Sequence, residues 1–137
     1  MAAAPKTKVL ILGHSFVRRL DTFVHNRDCH PSVSPNFNLN QFDVFFHGVG
    51  GRTIMSLTLD LQVVSRMASD IIVLEIGSND LCDSLVDPMR LASDMCDFIK
   101  RLHDEYRVQH IIVSQVIRRV RPFHMFHSYN AIGSSVK

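Results

Sequence analysis

Three short motifs, each directly after an apolar run, carry the residue types best suited to chemistry. They are Gly13-His14-Ser15, Gly48-Val49-Gly50-Gly51 and Gly77-Ser78-Asn79-Asp80. A serine hydroxyl can act as a nucleophile, whereas the backbone N–H groups of a glycine turn and an asparagine amide can stabilise a developing oxyanion. Each motif taken singly is also an ordinary turn, since Gly, Ser, Asn and Asp all favour turns.

Each motif has a rival interpretation. Ser15 would stand at a helix N-terminus, where its own N–H could help to bind an oxyanion, but it could also only cap that helix. The glycine turn could supply a backbone N–H to an oxyanion or cradle a phosphate, although no Gly-Lys-Ser/Thr of a Walker A loop follows it. In the third motif the Asn79 amide can donate a hydrogen bond, and Asp80 can hold the loop by accepting backbone N–H groups.

Apolar runs and helical periodicities alternate along the chain and predict the order β-α-β-α-β-α-β. The predicted strands cover residues 8–12, 42–46, 71–76 and 110–114. The predicted helices cover residues 16–24, 54–64 and 88–102, with Thr53 and Asp87 as N-caps. This alternation favours a parallel sheet with right-handed crossovers. All three motifs would then lie at the carboxyl ends of the strands, where ligands bind in such sheets.

The order and spacing of the motifs resemble those of the SGNH hydrolases, the GDSL-like esterases and lipases. Ser15 precedes Gly51 by 36 residues and Gly51 precedes Asn79 by 28, each about one βαβ step. The resemblance extends over about residues 8–114. Within it, residues 13–20 and 75–81 are most similar to esterase-like domains of animal genomes, some of which are carried by LINE-type retrotransposons.

This resemblance implies a three-layer α/β/α, flavodoxin-like fold with a mainly parallel sheet. It also implies that Ser15 is the nucleophile and that the backbone N–H groups of Ser15 and Gly51, with the Asn79 side chain, form an oxyanion hole. No cofactor and no metal are expected. The expected loop-supporting residues are Gly13, His14, Gly77 and Asp80.

The sequence departs from the SGNH pattern in two places. The family usually has Asp where His14 stands. Its C-terminal Asp-x-x-His motif, in which the His activates the serine and the Asp orients the His, does not occur in this sequence. His124 and His127 follow the last predicted strand and are the candidate substitute bases. Since Glu75 interrupts an apolar strand, we expect Arg18 or Arg52 to pair with it.

The length of 137 residues predicts one domain over residues 1–137, with a core of about residues 7–115 and an irregular tail at 116–137. We expect the sheet to be truncated after its fourth strand. Such a sheet would leave part of one face uncovered, which favours self-association.

Composition narrows the function classes. The net charge is +2, and the basic run at residues 118–121 is short, so nucleic-acid binding is not expected. The three cysteines form no zinc-ligand pattern and suit a reducing compartment. No apolar run approaches the roughly 20 residues of a membrane span. A cytoplasmic or nuclear protein that is not secreted is therefore expected.

Three functions fit these observations. The first is a serine esterase acting on acyl or acetyl esters. The second is an inactive or truncated domain of the same fold that acts in binding only. The third is a flavodoxin-like module that binds a nucleotide or flavin, which leaves Ser15 and Asn79 unexplained. A histidine close to Ser15 separates the first from the second.

Overall fold

The computed structural model describes residues 4–26, 31–83 and 85–116, and these form one parallel sheet with helices on both faces. The strands are β1 (Thr7–Gly13), β2 (Phe42–Gly48), β3 (Ile71–Glu75) and β4 (His110–Val113). The helices are α1 (Ser15–His25), α2 (Leu61–Met67) and α3 (Pro88–Asp104). The predicted alternation of strands and helices is confirmed.

The strand order β2-β1-β3-β4 determines where a ligand can bind. Every neighbouring pair of strands is parallel, and Gly13 at the end of β1 aligns with both Gly48 and Glu75. The order reverses between β1 and β3, as in flavodoxin-like sheets, so a crevice opens at the carboxyl ends of these two strands.

One face of the sheet carries the main core. Leu10 and Leu12 alternate with less buried neighbours and pack, together with Ile72, against α2 and α3. The core residues outside the strands are Ile54, Leu57, Leu61, Val64, Ile76, Phe98, Leu102 and Val108. No helix in the described part of the chain is both long and apolar enough to cross a membrane.

Helix α1 covers the other face through a narrower apolar surface than its sequence predicts. Val17 and Val24 are buried, whereas Phe16 and Phe23 remain 44% and 43% exposed. Ile112 of β4 points to the same face as α1 and is 53% exposed. Self-association through this face stays a prediction.

The second predicted helix is divided in two. A 3₁₀ turn covers Met55–Asp60, and only Leu61–Met67 is α-helical. The hydroxyls of Ser56 and Thr58 donate to carbonyls three residues earlier, at 3.0 and 2.7 Å. Such local bonds compete with the regular α-helical pattern.

The predicted start of α3 is confirmed, because Asp87 Oδ1 accepts the Met89 N–H at 3.0 Å.

Two glycines allow the strand ends to approach their neighbours. A β-carbon on Gly13 would lie 2.1 Å from the Glu75 carbonyl oxygen, and one on Gly48 would lie 2.2 Å from the Arg18 nitrogen. Both clashes would be with backbone, which cannot rotate away. The close packing of β1 against β3 therefore requires glycine at position 13, and the close packing of β2 against α1 requires glycine at position 48.

We predict that Gly13→Ala lowers the unfolding free energy by more than about 3 kcal/mol, beyond the usual range for overpacking. Gly50→Ala is the matched control, since a β-carbon there would meet its nearest atom at an ordinary 3.7 Å. Urea unfolding followed by circular dichroism measures both variants. A Gly13→Ala protein within about 1 kcal/mol of wild type would show that the backbones separate easily.

Candidate active site

Ser15 is the first residue of α1, but the residue that caps this helix is His14. The His14 Nδ1 accepts a hydrogen bond from the Phe16 N–H at 3.2 Å. The alternative in which Ser15 only caps the helix is therefore wrong. Among the described residues, no group hydrogen-bonds to the Ser15 hydroxyl, which is half-buried at the crevice.

The other nitrogen of His14 meets the buried carboxyl of β3. Nε2 lies 3.0 Å from Glu75 Oε2, and the two side chains are only 4% and 7% exposed. Because Nδ1 accepts an N–H, the hydrogen of a neutral ring resides on Nε2, the nitrogen that faces the carboxyl. The expectation that Arg18 or Arg52 pairs with Glu75 is wrong, since His14 occupies that position.

The glycine motif forms a β-turn with Gly50 and Gly51 at its centre. The Arg52 N–H donates to the Val49 carbonyl at 3.3 Å, and Gly51 has a φ of +75°, which favours glycine. The next N–H, on Thr53, is bound by Ser56 Oγ at 2.8 Å. By contrast, the N–H groups of Gly51 and Ser15 have no acceptor among the described residues.

Arg52 is anchored by a cluster that sequence analysis missed. Its guanidinium donates to both oxygens of the buried Asp60 carboxylate, at 2.9 and 2.8 Å. His47 Nε2 lies 3.4 Å from the same carboxylate. Only proximity in the fold reveals this cluster, because the three residues belong to no shared sequence motif. Its effect is to hold the chain that follows Gly51.

Residues of the third motif, Asn79 and Asp80, form hydrogen bonds with the residues that follow the glycine turn. The Asn79 amide donates to the Arg52 carbonyl at 2.7 Å. The buried Asp80 carboxyl accepts the Ile54 N–H at 3.1 Å. Burial raises the pKa of Asp80, and the bond from Ile54 offsets part of that rise. The turn between β3 and these residues passes through Gly77, whose φ is +105°.

The three predicted site residues follow three adjacent strands at one edge of the sheet. Ser15 comes two residues after Gly13, and Gly13 aligns with the ends of both neighbouring strands. Asn79 donates to the carbonyl of Arg52, the residue directly after Gly51. The edge therefore presents a serine hydroxyl, an amide, and the backbone N–H groups of Ser15, Gly50 and Gly51, which have no acceptors in the described chain. This set suits nucleophilic attack on a carbonyl group and stabilisation of the resulting oxyanion.

The candidate bases His124 and His127 lie outside the described residues. His14 and His47 are engaged as described above, and His25 pairs with Asp21 at 2.9 Å. No histidine in the described segments hydrogen-bonds to Ser15. In those same segments no three His, Cys, Asp or Glu side chains cluster to hold a metal.

An open cleft of about 520 Å³ lies at the opposite edge of the sheet. It is lined by residues at the amino ends of the strands, including Thr7, Phe42, Ile71 and His110. Because ligands of parallel α/β sheets bind at the carboxyl ends, this cleft is separate from the candidate site.

His14 variants test the double role of its ring. We predict that His14→Asn is more stable than His14→Ala by about 1 kcal/mol, because Asn replaces the helix cap. Both variants should be less stable than wild type, since each removes the imidazole that lies against the buried Glu75 carboxyl. Urea unfolding at pH 7 measures the three proteins. Equal stabilities of the Asn and Ala variants would contradict the assigned cap.

Asp80 variants test the effect of burial on its pKa. The raised pKa means that the folded protein binds the proton more tightly than the unfolded chain does. The unfolding free energy of wild type relative to Asp80→Asn should therefore fall as pH rises from 3.8 through the raised pKa, and stay constant above it. Urea unfolding of both proteins across pH 3.5–7 measures this difference. A difference that increases with pH would contradict the assignment.

Comparisons with known proteins support the fold. No protein-family model matches the sequence, and no curated protein matches it significantly. Among solved structures, an acetyl xylan esterase superposes with a TM-score of 0.60 at 17% identity, over 93% of this chain and 71% of the other. A GDSL-like lipase from Bacteroides thetaiotaomicron VPI-5482 superposes with a TM-score of 0.58 at 16% identity, over 94% and 62%.

A catalytic mutant of an acetylxylan esterase from Geobacillus stearothermophilus also superposes, with a TM-score of 0.52 at 16% identity, over 82% of this chain and 61% of the other. This chain thus spans 61–71% of the length of these three structures. Likeness at such identities concerns the fold. The described chain has the parallel α/β fold of the SGNH hydrolase structures, as its sequence predicts.

Proposed function

We propose that this protein is a serine ester hydrolase in which Ser15 attacks the carbonyl carbon of a short acyl ester. The Ser15 and Gly51 N–H groups bind the oxyanion, and the Asn79 amide, held against the same turn, is the third donor implied by the SGNH resemblance. His124 or His127 takes the hydroxyl proton and returns it to the leaving alcohol. Water then hydrolyses the acyl-enzyme.

The observation that carries this proposal is the pattern of used and unused backbone N–H groups. Around Ser15, the Phe16 N–H is bound by the His14 ring. Around Gly51, the Arg52 N–H is bound within the turn. At these two turns the N–H groups of Ser15, Gly50 and Gly51 have no acceptor in the described chain. A site that must receive a new negative charge requires donors of this kind.

The size of the acyl group is proposed from the similar structures. Two of them are described as acetylxylan esterases, which act on acetyl groups. We therefore place acetyl esters first among the substrates. The alcohol portion depends on loops that vary within this fold.

A second candidate, a domain that binds without catalysis, is favoured by one observation. No histidine in the described segments hydrogen-bonds to Ser15. Without a base the serine hydroxyl is a weak nucleophile at neutral pH. Such a domain would bind esters or a partner through the same edge of the sheet.

We predict that wild type hydrolyses p-nitrophenyl acetate and that Ser15→Ala lowers kcat by roughly 10⁴-fold or more, because the nucleophile is lost. Ser65→Ala is the matched control, since Ser65 is exposed on α2 away from the site. Initial rates and labelling by a fluorophosphonate, located by mass spectrometry, measure both variants. Labelling at Ser15 identifies the nucleophile even where turnover is slow.

The same assay identifies the base. His124→Ala and His127→Ala are compared with His103→Ala, whose exposed ring lies in the last turn of α3. We expect one of the first two variants to lose activity and the third to retain it. Wild type that neither hydrolyses the ester nor reacts with the fluorophosphonate would support the binding-only candidate instead.

A further inference from the structure

Arg18 places a positive charge beside the candidate oxyanion site. A β-carbon on Gly50 would lie 3.7 Å from Nη1 and 3.8 Å from Nη2 of Arg18, so the guanidinium lies beside Gly50, on the side where a side chain would project. Gly50 and Gly51 share the peptide whose N–H is proposed to bind the oxyanion. Arg18 also lies three residues after Ser15 on α1, a spacing that puts both side chains on one side of the helix.

The Arg18 guanidinium has no hydrogen bond or ion pair with any described residue. The other charged groups near the turn are committed elsewhere. Asp60 is bound by Arg52 and His47, and the Asp80 carboxyl accepts the Ile54 N–H. Within the described chain, Arg18 is therefore a cation beside this turn that has no ion-pair partner.

We propose that Arg18 binds an anionic group of the ester substrate, so that the site selects esters carrying a carboxylate or phosphate close to the scissile carbonyl. This proposal rests on the proposed function, because it names the substrate class of that site. A guanidinium presents paired N–H donors that match the oxygens of either anion. A neutral acyl chain gains nothing from this contact.

The position of the guanidinium defines where the anion lies. It lies beside Gly50, whereas the proposed oxyanion donor is the N–H of the adjacent residue, Gly51. The anion must therefore be only a few bonds away from the ester carbonyl. It can belong to the acyl portion, as in a hemisuccinate, or to the alcohol portion, as in a glycerol phosphate. Two pairs of substrates distinguish these sources.

The experiment measures kcat/KM for p-nitrophenyl hemisuccinate against p-nitrophenyl butyrate, and for acetylglycerol 3-phosphate against acetylglycerol. We expect wild type to prefer the anionic member of one pair, and Arg18→Gln to reduce that preference by about tenfold. Arg18→Lys should restore part of it, because charge returns without the planar fork. The preference should also weaken as salt is added.

Arg19→Gln is the matched control, an exposed neighbour whose guanidinium is not among the groups nearest Gly50. An equal loss of preference in Arg18→Gln and Arg19→Gln would overturn the proposal, because general surface charge would then account for it. Equal hydrolysis of charged and neutral esters by wild type would also overturn it, while leaving the esterase function intact.

A binding measurement decides the matter if no ester is hydrolysed. Succinate and methyl phosphate are titrated into ¹⁵N-labelled full-length protein, and the amide resonances of Gly50 and Gly51 are followed. Shifts that occur in wild type and Arg19→Gln but not in Arg18→Gln support the anion site even where the esterase function fails. The absence of shifts in wild type with both probes would overturn the proposal.

Discussion

The His14 ring connects α1 to β3 at the candidate site, because each of its two nitrogens lies against a different element. Through Nδ1 it begins α1, and through Nε2 it contacts the carboxyl of Glu75 on β3. A buried carboxyl and a buried imidazole are each costly to leave unpaired in a low-dielectric interior. Because the imidazole and the carboxyl lie 3.0 Å apart in the interior, they hold the start of α1 close to β3. Because Ser15 is the next residue along the chain, its position is set by the same contacts of His14.

The glycine turn depends on its neighbours in a similar way. The turn is exposed, and Gly51, which has a left-handed backbone conformation, has no side chain that could pack against neighbours. The position of the turn is set by hydrogen bonds to Arg52, the residue that follows it. The Arg52 guanidinium donates to the Asp60 carboxylate, and the Asn79 amide donates to the Arg52 carbonyl. Donors fixed before a ligand arrives need little reorganisation when charge develops, and this preorganisation is the main source of oxyanion stabilisation.

Periodicity in the sequence predicts most of the fold but only part of the site. Strand and helix order, the start of α3 and the location of three motifs at one sheet edge follow from local patterns and from the geometry of parallel sheets. The partner of Glu75 does not follow, because an arginine and a histidine are equally plausible until the strand register is known. The Arg52–Asp60–His47 cluster likewise depends on how the chain folds after β2. Whether Ser15 or His14 caps α1 depends on a shift of one residue in the helix start. Sequence patterns do not fix a helix start to within about one residue.

The proposed reaction has a binding part, which holds the substrate and the oxyanion, and a proton-transfer part, which needs a base. Ser15, Gly51 and Asn79 are placed by bonds within the described chain, none of which involves a proton acceptor for the serine. Oxyanion donors and substrate binding alone retain roughly 10³–10⁴-fold catalysis over water when a triad member is removed. Arg18 lies beside the glycine turn, so its proposed role belongs to the binding part. Recognition of an anionic ester by this edge is therefore independent of the base, and loss of a histidine should slow turnover greatly without abolishing selectivity in binding.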